Sequence, residues 1–507
     1  MDMREKIAQL VIARLDGKDL KRRFSYYESL VRRGIGGFIL FGGKKKEIKY
    51  AMRALQKKAR IPLFIGSDLE QGLGQHIDGG TLFPPALSLT RAVNRDRRKD
   101  ILLLRRAIHV IAGEARAVGI NIIFSPVLDV NTNPENPIIC TRAFGDDPQG
   151  VAWFGREFIR GFQREGVIAC GKHFPGHGDT TSDSHRELPV VTGDIRRLKK
   201  TELYPFQQAI LGGVKMIMVG HLKVPALDAQ FPSSLSQKTI QGLLRGKMKF
   251  KGLVITDAMN MHAVSQYNSI PDRKKQRSEE KACLQALQAG ADILLHPEDP
   301  ERVIEYLNSE HDRVKPAAAR AFQSIMRIKQ TLRRTAPFSI PISSIGTKSN
   351  REVARELTQR SIRVRYGSEK ETRKAVRDNP VVLFLDDDNA GSGNIFSKKI
   401  QEYFPSAEFL YIDNTYQGGA GKILDTVSGR TLIAGVFSKV SAWKGRSGLT
   451  RKLLTILKRT IRIAGHSVVV GFCCPSVLEG LESDIIIEAY SGEGLSQESA
   501  AETLHAL

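Results

Sequence analysis

No stretch of this sequence approaches the roughly 20 consecutive apolar residues that a helix needs to cross a bilayer, so nothing in it argues for membrane insertion. The N-terminal segment MDMREKIAQLVIARLDGKDL opens on charged residues. It lacks the apolar run and small-residue cleavage site of a secretory signal, and a cytoplasmic location is expected. Cysteine is scarce. The five present (Cys140, Cys170, Cys283, Cys473 and Cys474) are odd in number and widely spaced, and the adjacent pair Cys473–Cys474 is not a metal-ligand spacing. They read as reduced thiols of a reducing compartment, and neither a metal nor another cofactor is expected. Acidic residues are in deficit, with 54 Asp and Glu against 77 Lys and Arg, for a net charge of +23. The basic residues are spread out, with short clusters at Lys44–Lys46, Arg196–Lys200 and Arg273–Arg277, and no aromatics are interleaved as a strand-binding groove would require. A solvated basic surface is the reading, with no nucleic-acid partner. Internal repeats and low-complexity tracts are also missing.

What is present fits an α/β protein. A chain of 507 residues exceeds one compact core and suggests two domains, and 41% hydrophobic residues suffice to fill them. From Gly36 to His296, short apolar runs alternate with amphipathic stretches such as Asp100–Ala117 and Gln149–Glu165. The runs are Gly37–Phe41, Pro62–Gly66, Asn121–Phe124, Val167–Cys170, Lys215–Val219, Leu253–Ile255 and Asp292–Leu295. Such alternation predicts parallel strands joined by crossover helices. Asp68, Asp129, Lys172, His173, His221, Asp257 and His296 lie at or just past the ends of these runs. Polar residues at so many strand ends predict a TIM-type (β/α) barrel, whose chemistry gathers on one rim, over an open sheet with one switch point. The Pro/Ser/Gly-rich segment 335–350 reads as a linker between a barrel domain at 1–334 and a smaller α/β sandwich domain at 351–507. Strands are expected there at Val381–Leu385, Glu408–Ile412, Thr431–Phe437, Ser467–Phe472 and Asp484–Ala489, with helices at Leu449–Ile461 and Ser496–Leu507.

Four segments could carry chemistry. GKHFPGHGDTTSDSHRELP (Gly171–Pro189) concentrates His173, His177, His185, Asp179, Asp183 and Lys172. His173 and His177 have the spacing of two zinc ligands on a helix, but Pro175, Gly176 and Gly178 disfavour a helix there. Asp183 and His185, two apart, would point the same way in an extended loop. A carboxylate so placed fixes an imidazole's tautomer and raises its pKa, giving a proton donor near neutral pH; a solvated polar loop is the other reading. In KGLVITDAMNM (Lys251–Met261), Asp257 ends an apolar strand, as a nucleophile or base does in a barrel; the other reading is a helix N-cap. IGSDLEQGLGQHIDGG, with Asp68, Glu70 and His76, and FSPVLDVNTNPENPIICTRAFG, with Arg142, read as ligand-binding loops or as ordinary polar surface. The triple acid Asp386–Asp388 reads as a polar strand end. GGAGK (Gly418–Lys422) lacks the first Gly and final Ser/Thr of a phosphate loop.

Taken together, KHFPGHGDTTSDSH, ITDAM, the DLEQGLGQH loop and TRAFG resemble the bacterial β-N-acetylglucosaminidases of glycoside hydrolase family 3, the NagZ type, over Gly36 to about Leu307. VVVGFCCPSVLEG and EAYSGEGLSQESAAETL are similar to that family's C-terminal α/β domain. The resemblance implies that Asp257 is the nucleophile, His185 the acid/base and Asp183 its orienting partner. It implies that Lys172, His173, Asp68 and Arg142 contact the sugar. In the family's D-x-E-G-G-R-V-x-R loop this chain has Gln71 for a glycine, Leu73 for an arginine, and His76 where a second sugar-contacting arginine is expected. His76 can donate a hydrogen bond but lacks an arginine's bidentate fork. The implied activity is retaining removal of terminal β-linked N-acetylglucosamine from muropeptide fragments in cell-wall recycling, without a metal. Phosphorolysis, a β-glucosidase of the same family, and a catalytically silent basic binding protein are the alternatives.

Overall fold

The computed structural model describes residues 1–180, 188–261, 278–332, 338–366, 379–440 and 444–507. Asp183 and His185 lie outside the described residues. The chain forms two compact units. One comprises Met1–Leu82, Arg105–Asn133 and Ala143–Arg351; the other comprises Phe83–Leu104, Pro134–Arg142 and Glu352–Leu507.

The first unit is built on a closed parallel barrel. Its strands are β1 (Val11–Asp16), β2 (Gly37–Phe41), β3 (Phe64–Ser67), β4 (Ile122–Ile123), β5 (Ile168–Phe174), β6 (Met216–Val219), β7 (Leu253–Ala258) and β8 (Ile293–Leu295). Ile12 lies opposite both Gly37 of β2 and Leu295 of β8, which closes the ring. Seven strands coincide with the apolar runs of the sequence. The eighth, β1, is the one the sequence hid, because the exposed Arg14 interrupts VIARLD and leaves no clean apolar run. Glycine is required where strands crowd: a Cβ at Gly37 would lie 2.0 Å from the Phe64 carbonyl oxygen.

Near the N-terminal ends of the strands, Lys329 is buried. Its ammonium donates to Gln9 Oε1 and to the Gly36 carbonyl, each at 2.8 Å, and stands 4.6 Å from the centre of the Phe64 ring. Burial pushes its pKa well below the ordinary lysine value. The segment after the barrel's last helix is fixed to the same unit, where Glu114 accepts from the Gly346 amide and Asn350, and Lys45 donates to the Ile345 carbonyl.

The second unit holds a six-stranded sheet, ordered β11-β10-β12-β13-β14-β9. The strands are β9 (Arg363–Tyr366), β10 (Val381–Asp386), β11 (Glu408–Asp413), β12 (Thr431–Phe437), β13 (His466–Phe472) and β14 (Ile485–Glu488). All pair in parallel except β9, which runs antiparallel beside β14. Alternation along each strand feeds two cores. Val381, Leu383 and Leu385 pack with Leu453, Ile456 and Leu457 on one face; Val382 and Phe384 pack with Phe396, Ile400, Ala500 and Leu504 on the other. The unit is therefore an α/β sandwich with helices on both faces.

One expectation is corrected here. Cys140 and Cys474, both in this unit, form a disulfide, whereas Cys170, Cys283 and Cys473 are free and buried. Residues 334 positions apart in sequence are bridged, a pairing that spacing cannot disclose. The triple acid is internally neutralised. Asp386 accepts from the Asp388, Ala390 and Ser392 amides, while Lys444 lies 2.9 Å from Asp387 and 2.6 Å from Asp388. Among the described residues no helix is long and apolar enough to cross a membrane, and no His/Cys/Asp/Glu cluster could hold a metal.

Candidate active site

The C-terminal rim of the barrel gathers most of the singled-out residues. Asp68 follows β3, and Lys172 and His173 lie within β5, which extends past its apolar run to Phe174. Lys172 is almost fully buried. Its ammonium donates to Asp68 Oδ1 at 2.6 Å and lies 2.7 Å from Glu70 Oε1. One cation between two carboxylates leaves the group net negative and oriented, a suitable grip for vicinal sugar hydroxyls.

His173 is held by Asp129, which is fully buried. Asp129 accepts from His173 Nδ1 at 2.7 Å and from the His173 and His177 amides at 3.1 and 2.7 Å. Burial by itself would raise this carboxyl's pKa. The charge and hydrogen bond of His173, together with His177, outweigh burial and hold it below the usual range. Because the carboxylate takes the proton on Nδ1, the pairing fixes the His173 ring and turns Nε2 to other partners. The backbone is shaped to match: Gly178 packs against the Val130 carbonyl so tightly that a Cβ would lie 1.8 Å from its oxygen.

His177 lies one turn of loop further on, not on a helix, in agreement with the Pro and Gly around it. Its Nδ1 is 2.8 Å from Thr180 Oγ1, and that hydroxyl donates to the His177 carbonyl, so Nδ1 is the donor in the first contact. Burial lowers its pKa from 6.5 to about 4, which corresponds to roughly 3 kcal/mol. His296, at φ +49° just past β8, is also lowered to about 4, by burial first and Arg14 second. The unfolded chain binds these protons more readily than the folded one. Stability is therefore full above pH 6.5 and lost as pH falls towards 4. We expect the melting temperature to drop across that window, and His177→Asn to flatten the drop; a wild-type melting temperature constant from pH 7 to 4 contradicts this.

His76 follows a short 3-10 turn at Leu73–Gln75 and meets Phe41 edge-on, with ring centres 5.4 Å apart. Burial lowers its pKa, so the ring is neutral at pH 7. Its Nε2 is buried with no partner among the described residues. With one ring nitrogen a donor and the other an acceptor, the neutral His76 ring lacks the two-pronged donor fork of an arginine.

Asp257 stands at the end of β7, half-buried, and its Oδ1 accepts from the Ala258 amide at 2.8 Å. Its charge acts on His177 and on Cys170. The rim thus brings together Asp68, His76, Lys172, His173 and Asp257. Arg142 belongs to the second unit, in a 3-10 turn at Cys140–Arg142 where its Nη1 donates to the Ile138 carbonyl at 3.0 Å. Sequence reasoning placed Asp129 and His221 at strand ends without giving them roles, and it passed over Ser234. Nothing local marks Ser234, since its partner His221 is thirteen residues away.

Comparison with known proteins agrees with this geometry. The family model described as the Glycosyl hydrolase family 3 N terminal domain matches residues 2–331. A beta-hexosaminidase of Nitrosomonas eutropha is 34% identical over 282 residues, covering 54% of this chain and 77% of that protein. A beta-hexosaminidase of Bordetella pertussis is 33% identical over 311 residues, covering 60% and 82%. The solved family 3 β-N-acetylglucosaminidase of a Paenibacillus species is 26% identical, with a TM-score of 0.84 over 100% of this chain and 97% of that one.

Proposed function

The chain belongs to glycosyl hydrolase family 3, and from that premise we propose that this glycoside hydrolase is a retaining exo-β-N-acetylglucosaminidase with Asp257 as its nucleophile. The observation that carries the reading is the position of Asp257 at the end of β7, on the rim shared by the Asp68–Lys172–Glu70 and Asp129–His173 groups.

In the first step the Asp257 carboxylate forms a bond to the anomeric carbon as the glycosidic C–O bond breaks, and His185, oriented by Asp183, gives its proton to the leaving oxygen. In the second step His185 takes a proton from water, the water oxygen bonds to the anomeric carbon, and the bond to Asp257 breaks. The hydrogen bond from the Ala258 amide lowers the cost of keeping Asp257 ionised and fixes one oxygen, so the other attacks. Asp68, Lys172, His173 and His76 take the sugar's hydroxyls. Arg142 adds a contact that follows from family resemblance. A histidine acid/base removes the repulsion that a second carboxylate would impose on an anionic aglycone.

We propose fragments of cell-wall peptidoglycan as the substrate, whose muramic carboxylate and peptide are drawn to a protein of net charge +23. A Cys140–Cys474 bridge is a feature that favours an oxidising compartment, set against the cytoplasmic location expected from the N-terminal segment. The test compares aryl β-N-acetylglucosaminide with aryl β-glucoside, each with and without phosphate. Faster release from the N-acetylglucosaminide, with free sugar as product in both buffers, is expected. Faster glucoside turnover overturns the sugar assignment, and a sugar phosphate as the main product overturns hydrolysis.

A further inference from the structure

His221 is fully buried two residues beyond the end of β6, and neither the proposed chemistry nor the sugar contacts use it. Its Nδ1 lies 2.7 Å from Ser234 Oγ and its Nε2 lies 3.1 Å from the Ala258 carbonyl oxygen. A carbonyl oxygen only accepts, so Nε2 carries the proton and donates. Nδ1 of the neutral ring is then an acceptor, and the Ser234 hydroxyl donates to it. Ser234, itself fully buried in the turn Ser233–Leu235, meets Nδ1 and so holds the ring in the orientation that the Ala258 carbonyl requires.

Ala258 is the residue whose amide donates to Asp257 Oδ1 at 2.8 Å. The chain therefore runs from Ser234 to His221, to the Ala258 carbonyl, and through Ala258 to the Asp257 carboxylate. Ala258 is where β7 leaves the barrel: the register of β7 against β8 shifts between Ile255 and Ala258, so the ladder there is irregular. A side chain from the segment just after the neighbouring strand β6 supplies a fixation at that point. Resting on the reading of Asp257 as nucleophile, we infer that His221, its ring held by Ser234, is a positioning residue that fixes Ala258 through its carbonyl and thereby aims the nucleophile.

Misplacing a reacting group by about 1 Å costs on the order of 10²-fold in rate. His221→Ala is expected to lower kcat by about that factor with KM nearly unchanged, because the sugar contacts lie elsewhere on the rim. His221→Gln keeps an N–H donor at the distance of Nε2 and is expected to recover most of the lost rate. Ser234→Ala removes the hydrogen bond to Nδ1, loosens the ring, and is expected to lower kcat less than His221→Ala; it tests the inference if His221→Ala fails to fold. All are measured on aryl N-acetylglucosaminide with the full chain, beside Asp257→Ala and with melting curves. A folded His221→Ala with wild-type kcat, or Ala and Gln variants equally slow, overturns the inference. If Asp257→Ala itself turns over normally, the nucleophile reading falls instead.

Discussion

Asp257→Ala is expected to reduce kcat by about 10⁴-fold or more and to leave the barrel folded. The size follows from what is removed. Without the carboxylate there is no covalent intermediate, and the reaction must find water on a face of the sugar that the protein was not built to hydrate. The fold should persist because Asp257 is half-buried at the end of a strand whose apolar residues, Leu253, Val254 and Ile255, stay in the core. Added azide should restore part of the turnover by bonding to the anomeric carbon from the vacated side, giving a glycosyl azide of inverted configuration. An Asp257→Ala protein that hydrolyses aryl N-acetylglucosaminide at close to the wild-type rate contradicts the proposal.

The second large effect is expected from Lys172→Met. The methionine keeps the length and apolar stem of the side chain but removes the charge that neutralises Asp68 and Glu70, which lie 2.6 and 2.7 Å from Nζ. Breaking a buried pair by deleting one partner typically costs about 3–5 kcal/mol. Part of that cost can be relieved when one of the two carboxyls takes up a proton. The variant should therefore melt lower than the wild type at pH 7, with the gap narrowing as pH falls towards 5. Its kcat/KM should fall as well, chiefly through KM, because the misaligned carboxylates no longer meet the sugar's hydroxyls. An unchanged melting temperature with an unchanged KM contradicts the assignment of this triad to sugar binding.

Much of this arrangement was legible in the sequence, and the parts that were not share a physical cause. Seven barrel strands showed as apolar runs because parallel strands covered on both faces are apolar throughout. β1 did not, because the exposed Arg14 interrupts it. In the second unit β10, β12, β13 and β14 were visible for the same reason and the edge strand β11 by its run FLYI, while β9, the antiparallel strand RVRY, carries two arginines and no apolar run. The site residues stood out as polar side chains at strand ends. Their relations did not. Nothing in the sequence ties Asp129 to His173 or Glu70 to Lys172, since strand pairing in the barrel joins them, or Ser234 to His221, which meet through the folding of the β6–β7 connection. Cys140 and Cys474 were misread for the same reason: pairing across 334 residues is a property of the fold. Asp183 and His185 rest on family resemblance, as they lie outside the described residues.

The central claim is that Asp257 makes the bond to the sugar. The direct measurement is to trap the enzyme with a fluorinated N-acetylglucosaminide that forms the intermediate quickly and releases it slowly, then digest and sequence the labelled peptide. The account predicts one label per chain, on Asp257 in the peptide around Leu253–Met261. A label on another carboxylate, such as Asp68 or Glu70, or turnover with no covalent species at all, would contradict it.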